Sequence, residues 1–136
     1  MKKDDCIFCK LANGIIPTNS IYEDEDFNVI LDAAPATKGH ALILPKEHAD
    51  NLCQLPEETA AKVLVLAKKL ATSMTEKLGC DGFNVVQNNG TVAGQTVFHF
   101  HMHLIPRYND DGQKIAWVPQ NVEAEELKNT KDFLAE

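Results

Sequence analysis

His99-Phe100-His101-Met102-His103 is the stretch whose reading decides the fold and the chemistry of this chain. Side chains alternate between the two faces of a strand, so the spacing predicts a β-strand with three imidazoles in a row on one face. Phe98, Phe100, Met102 and Leu104 then form the opposite, buried face, and the apolar run continues through Ile105 to Pro106. Imidazole can ligate a metal, move a proton or attack as a nucleophile. Three of the chain's five histidines lie within these five residues, so the strand predicts a site.

Working outward, the loop Asn88 to Thr96 carries Gly90, Gly94 and Gln95 directly before the histidines. Glycines let backbone amides approach an anion without side-chain obstruction, so the loop is a candidate phosphate cradle. Phe83 to Gln87 reads as the strand leading into it. Pro56 to Leu78 is the one long helix: Ala60, Val63, Leu64, Ala67, Leu70, Ala71, Met74 and Leu78 follow the i, i+3, i+4 stripe. Pro56 suits its first turn, Glu57 and Glu58 suit the positive end of its dipole, and Gly79 stops it. His40 to Leu44, ended by Pro45, reads as a buried strand, and Ile21–Glu23 with Phe27–Leu31 as a hairpin turned at Asp24-Glu25-Asp26. Lys10 to Asn13 predicts a short N-terminal helical turn closed by Gly14. The order predicts an α+β fold, a mainly antiparallel sheet with one long helix packed on it and a short N-terminal helix.

A chain of 136 residues with 44% hydrophobic content is expected to form one domain over 1–136. Its net charge of −7 argues against tracking along a nucleic-acid polymer or docking on an anionic membrane. A mononucleotide needs only local donors, and with Arg107 as the one arginine, those donors are expected to be histidines and backbone N–H groups. No apolar leader follows Met1-Lys2-Lys3-Asp4-Asp5 and no long apolar span occurs, so a cytoplasmic location is expected. Cys6 and Cys9 form a CxxC, which in a reducing compartment points to metal or redox chemistry over a disulfide. Asp32, in the loop after a strand, can accept hydrogen bonds from both hydroxyls of a ribose, or be an ordinary loop acid.

The segment His99 to Ile105 resembles the signature of the histidine-triad (HIT) family, His-x-His-x-His followed by apolar residues. Cys6-Ile7-Phe8-Cys9, Lys38-Gly39-His40, Pro45-Lys46-Glu47-His48, Asn88-Asn89-Gly90, Gly94-Gln95-Thr96-Val97 and Ile105-Pro106-Arg107 occur in the order found in the bacterial Hint-like branch. The resemblance covers about 5–108 and leaves a tail, 109–136, less defined. It implies a HIT-like fold with the sheet extended across a homodimer. By the same resemblance His101 would be the nucleophile at the α-phosphate of a purine nucleotide such as AMP, forming a nucleotidyl-histidine that water hydrolyses. His103 would hold the phosphate, His40 would sit behind the nucleophile, and Thr96, where many relatives have serine, would assist the leaving group. Asp32 would bind the ribose, Asn88, Gln95 and the Val97 backbone amide the phosphate, and Ile7, Phe8, Leu11 and Ile30 the base.

Cys6, Cys9, His48 and His99 make a Cys2His2 set suited to one tetrahedral, structural zinc per chain, as zinc-containing relatives use it, with no open position for substrate. A thioredoxin-like redox role would require a strand-to-helix unit that the N-terminus lacks. The leading reading is a nucleoside phosphoramidase-like hydrolase acting on AMP-amine or AMP-lysine substrates without an organic cofactor. Hydrolysis of dinucleoside polyphosphates, as in the Fhit branch, uses the same nucleophile and is the alternative enzyme. A zinc-stabilised nucleotide-binding or interaction module with incidental catalysis is the non-enzymatic alternative. Trp117 either reaches a partner's site or packs on its own chain, and packing is the expectation.

Overall fold

Two apolar runs, Phe27-Asn28-Val29-Ile30 and Ala41-Leu42-Ile43-Leu44-Pro45, are buried on both faces and become the centre of a sheet. The computed structural model describes residues 2–135. Its strands are β1 (Ser20–Glu23), β2 (Phe27–Leu31), β3 (Ala41–Pro45), β4 (Gly82–Val86) and β5 (Met102–Arg107). They form one antiparallel sheet in the order β1-β2-β3-β5-β4. The helices are α1 (Ile7–Ala12), α2 (Glu57–Leu78) and α3 (Ala124–Leu134), so the α+β reading and the mainly antiparallel sheet hold.

Period-two alternation sorts the central strands between two layers. Phe27, Val29, Ala41, Ile43, Met102 and Leu104 face α2 and form the larger core with Val63, Leu66, Ala67 and Met74. Ile30, Leu42 and Leu44 face the other way and pack with Ala12 of α1, flanked by Phe8 and Leu11. The helix α2 therefore covers one face, and α1 with the histidines occupies the other.

The predicted helix runs as expected with two adjustments. Pro56 is its cap and Glu57 its first residue. The buried stripe contains Leu66, whereas Leu64 is 62% exposed, because Val63, Leu66, Ala67, Leu70 and Met74 share the narrower face that meets the sheet. Gly79 closes the helix in the left-handed conformation at φ 64, its N–H bonded to the Thr75 carbonyl at 3.0 Å. Gly39, at φ 92, passes so close to that end that a Cβ there would lie 2.6 Å from Leu78 Cδ1.

The decisive stretch is only partly a strand. The register pairs Ile43 with Met102 and would bring Pro45 opposite Phe100, but proline has no N–H to donate. The chain leaves the ladder before Met102: Phe100 N–H bonds the Ala49 carbonyl at 2.7 Å, and Phe98 turns outward, 49% exposed where a buried position was expected. Phe100, Met102 and Leu104 remain buried as predicted.

After Arg107 the chain is tied down once and then released. The Arg107 guanidinium donates from Nε and one terminal nitrogen to both Asp111 oxygens at 2.8 and 3.0 Å, and to Asn84 and the Gln113 carbonyl. These bonds hold the Asp111 carboxyl far below the usual carboxylate range. Beyond it lies α3, which the sequence reading did not foresee, with every residue exposed. Trp117 is 84% exposed, so it does not pack on its own chain. Among the described residues no helix is long and apolar enough to cross a membrane.

Candidate active site and metal centre

A cleft of about 580 Å³ opens on the α1 side of the sheet. Phe8 and Leu11 from α1, Ile30 from β2 and Leu42 from β3 give it an apolar wall. Asp32, Asn88, Thr96, His101 and His103 give it a polar one. Eight predicted site residues thus meet in one cleft, joined by Pro17 and Thr18, which the sequence did not single out. Asn88 is placed by Gly94, whose φ of 99 folds the loop so that a Cβ there would lie 3.4 Å from Asn88 Nδ2.

Hydrogen bonds to fixed backbone groups determine which nitrogen of each imidazole carries the proton. His101 Nδ1 lies 2.7 Å from the His99 carbonyl, which can only accept. The proton therefore sits on Nδ1, and the Nε2 lone pair is left for chemistry. Burial lowers the His101 pKa, which keeps the ring neutral and nucleophilic, and the Phe8 ring stands edge-on to it at 4.8 Å.

The second chain of bonds begins at Ala36, whose N–H donates to His40 Nδ1 at 2.9 Å. His40 must then carry its proton on Nε2, which lies 2.9 Å from His103 Nδ1 and 3.5 Å from Asp32 Oδ2. His103 accepts at Nδ1 and so is a donor at Nε2, the arrangement a phosphate oxygen needs. Burial, reinforced by the neighbouring His101 and His40, pushes the His103 pKa down to about 4, and burial also lowers that of His40. Asp32, His40 and His103 lie close enough together to suggest a metal site. The Ala36 N–H excludes it, because His40 could offer Nε2 to a cation only by moving its proton onto the nitrogen that already accepts.

Four expected placements change. His40 bonds His103, and among the described residues no hydrogen bond joins it to His101. Gln95 is buried and its amide is fully engaged with backbone: Oε1 accepts from Gly90 N–H at 2.8 Å, and Nε2 donates to the Asp50 and Val97 carbonyls at 2.6 and 3.0 Å. It shapes the loop and has no donor left for a phosphate. Ile7 and Val97 lie outside this cleft and line a neighbouring one.

His99 joins a different cluster. The ligand atoms of Cys6, Cys9, His48 and His99 all lie within 4.8 Å of one another. His99 Nδ1 is 3.4 Å from both sulfurs, and His48 Nδ1 is 3.4 Å from Cys9 Sγ. Tetrahedral ligands on a zinc-sized ion sit about 3.5 Å apart for S and N donors. Both rings are turned the right way: His99 Nε2 donates to the Pro45 carbonyl at 2.8 Å, and His48 Nε2 to Asp50 Oδ1 at 2.6 Å, so each Nδ1 lone pair faces the thiols. Asp50 was missed in the sequence, although a carboxylate two residues after a candidate ligand is a readable signal. The four residues fit a metal ion and fill its coordination sphere.

The fold and these two clusters define a histidine-triad type of protein, with a nucleotide-sized cleft beside a closed Cys2His2 group. The chain belongs to the HIT family: residues 13–110 match the HIT domain. It is 42% identical over 124 residues to the adenosine 5′-monophosphoramidase of Schizosaccharomyces pombe, covering 90% of each chain. A crystal structure of a HIT family protein from Bacillus anthracis superposes with a TM-score of 0.89 at 40% identity, covering 97% of this chain and 96% of that one. A zinc-bound histidine-triad protein from Mycobacterium smegmatis superposes at 0.77 with 41% identity, covering 85% and 84%. Membership in this family supports hydrolase activity on a nucleotide substrate.

Proposed function

We propose that this chain is a nucleoside phosphoramidase-like hydrolase that cleaves the bond between the α-phosphorus of a purine nucleotide and an amine. The observation that carries the reading is the 2.7 Å bond from His101 Nδ1 to the His99 carbonyl, which frees Nε2 for attack. Nε2 forms a bond to phosphorus while the bond to the amine nitrogen breaks. The electron pair leaves with the amine, which takes a proton from solvent with Thr96 Oγ1 at hand to relay it. The nucleotidyl ring carries a positive charge that its Nδ1–H shares with the His99 carbonyl. Water then attacks phosphorus, the pair of the breaking P–Nε2 bond returns to His101, and a proton is released, giving AMP. A covalent intermediate divides one difficult displacement into two.

In this reading His103 Nε2–H and the Asn88 amide hold the phosphate, Asp32 accepts from the ribose hydroxyls, and Phe8, Leu11 and Ile30 sandwich the base. Cys6, Cys9, His48 and His99 hold one zinc, which supplies structural cross-linking and no chemistry at the substrate. The reading includes a cytoplasmic homodimer, supported by the exposed Val85 on edge strand β4. Adenosine 5′-phosphoramidate tests the proposal. We expect release of AMP and, on rapid quench, a base-stable, acid-labile adenylyl adduct on the peptide carrying His101. An adduct elsewhere, or a faster reaction with diadenosine polyphosphates, rejects it.

A further inference from the structure

A second cleft, of about 420 Å³, meets the nucleotide cleft at Thr96, which lines both. His101 and His103 face only the first. Ile7 and Phe98 line the second and are 47% and 49% exposed. Two large apolar side chains left half in water beside a reactive centre are a binding surface more readily than a packing fault. The N–H groups of Thr96, Val97 and Phe98 have no acceptor among the described residues, so the passage between the clefts is rimmed with free donors.

Displacement at phosphorus runs close to in line, with the departing atom opposite the attacking one. Thr96 borders both clefts, so a group that departs past the Thr96 hydroxyl meets the second one. We propose that this cleft is the leaving-group subsite, and that it selects amines with an apolar body, neutral or cationic, over anionic leaving groups. The proposal rests on the hydrolase reading above and names the part of the substrate that reading leaves open.

Charge decides the second half. The cleft carries Asp5 and Asp50 against one cation, Lys3. The only arginine is spent on Asp111, Asn84 and Gln113. A departing nucleoside polyphosphate would bring several negative charges into a cleft that has a surplus carboxylate, and like charges at close range are costly. An amine with an apolar body instead lays carbon against Ile7 and Phe98, and once it has departed and taken its proton it meets the carboxylates with a positive charge.

The test compares three amidates of adenosine 5′-monophosphate: the unsubstituted amide, the phenethylamide, and the amide of phenylalanine, which adds a carboxylate to the same aryl body. We expect kcat/KM to rise from the unsubstituted amide to the phenethylamide and to fall back for phenylalanine. In Phe98→Ala the phenethyl-to-unsubstituted ratio should drop about tenfold, the effect of losing one ring's apolar contact. Ile7→Ala gives the same readout should Phe98→Ala fail to fold, and Asp5→Lys should raise the phenylalanine amide relative to the phenethylamide. Ratios that do not move in any of these variants while the amides are hydrolysed overturn the subsite and leave the hydrolase reading standing. If no amide is hydrolysed, that reading fails. Calorimetric titration with the non-hydrolysable phenethyl and unsubstituted 5′-sulfamates then decides the subsite, and equal affinities overturn it.

Discussion

The five residues His99 to His103 supply two clusters that treat the same ring in opposite ways. In the Cys2His2 group the outer nitrogen of each imidazole is bonded to a protein acceptor, Pro45 or Asp50, and the inner one turns toward the sulfurs. In the cleft the inner nitrogens are bonded, His101 to the His99 carbonyl and His103 to His40, and the outer ones are left for a ligand. What an imidazole can do is thus set by where its second nitrogen is anchored. One cluster is closed against substrate and the other is opened toward it, two residues apart.

The largest expected effect breaks the open side. His101→Ala should lower turnover about a thousandfold or more while AMP still binds, because the covalent route goes and the pocket stays. Single-turnover kinetics and equilibrium titration of AMP measure the two halves separately, and near-normal turnover would defeat the assignment. The converse change breaks the closed side. Cys9→Ser, or chelation, should cost stability on the order of 4 kcal/mol by denaturant titration and leave the chemical step of the remaining folded protein within a few-fold. A variant that keeps its stability but loses chemistry would mean that the two clusters are not divided as described.

Smaller changes sharpen the contrast. His40→Phe removes the donor that fixes the His103 tautomer, so His103 can hold its proton on Nδ1 and present the phosphate with a lone pair. Loss of an orienting partner of this kind costs about 10- to 100-fold. We expect that loss in kcat/KM, with weaker AMP binding, and an unaffected rate would show that His103 needs no such partner. The smallest effect is in pH. His103 has a folded pKa of about 4 against about 6.5 unfolded. Between those values the unfolded chain binds more protons, so this residue makes stability fall as pH drops from 6.5 toward 4, with no further contribution below. His103→Asn should flatten the curve in that window, and an unchanged slope would place the linkage elsewhere.

Much of this was legible in the sequence because periodicity and donor chemistry are local. The buried runs at Phe27 and Ala41, the stripe of α2 and the Cys6, Cys9, His48, His99 set all read directly. What failed was long-range. Alternation alone made Phe98 a buried strand residue, whereas Pro45, more than fifty positions earlier, is what releases the chain from the ladder. Gln95 looked like a phosphate ligand because a side-chain amide has donors to spare, and only the fold shows the carbonyls of Asp50 and Val97 consuming them. The α3 helix has no apolar stripe that meets a core. Its one signal, Glu125 and Glu126 in the first turn and Lys131 in the last, speaks only of the helix dipole.

The close fit of Gly39 against Leu78, where an added Cβ would come within 2.6 Å of Cδ1, joins the reactive loop to a helix end on the far layer of the molecule. Asp32 and His40 flank the segment that Gly39 closes, so the packing at Leu78 reaches the loop that carries them. Mutational drift at position 78 is therefore not free. A bulkier side chain there would push on the loop, and a residue larger than glycine at 39 would require a smaller one at 78 as well as a backbone that tolerates φ 92. A side chain at position 39 would thus need room made at position 78, which makes an outwardly ordinary helix terminus part of what shapes the loop.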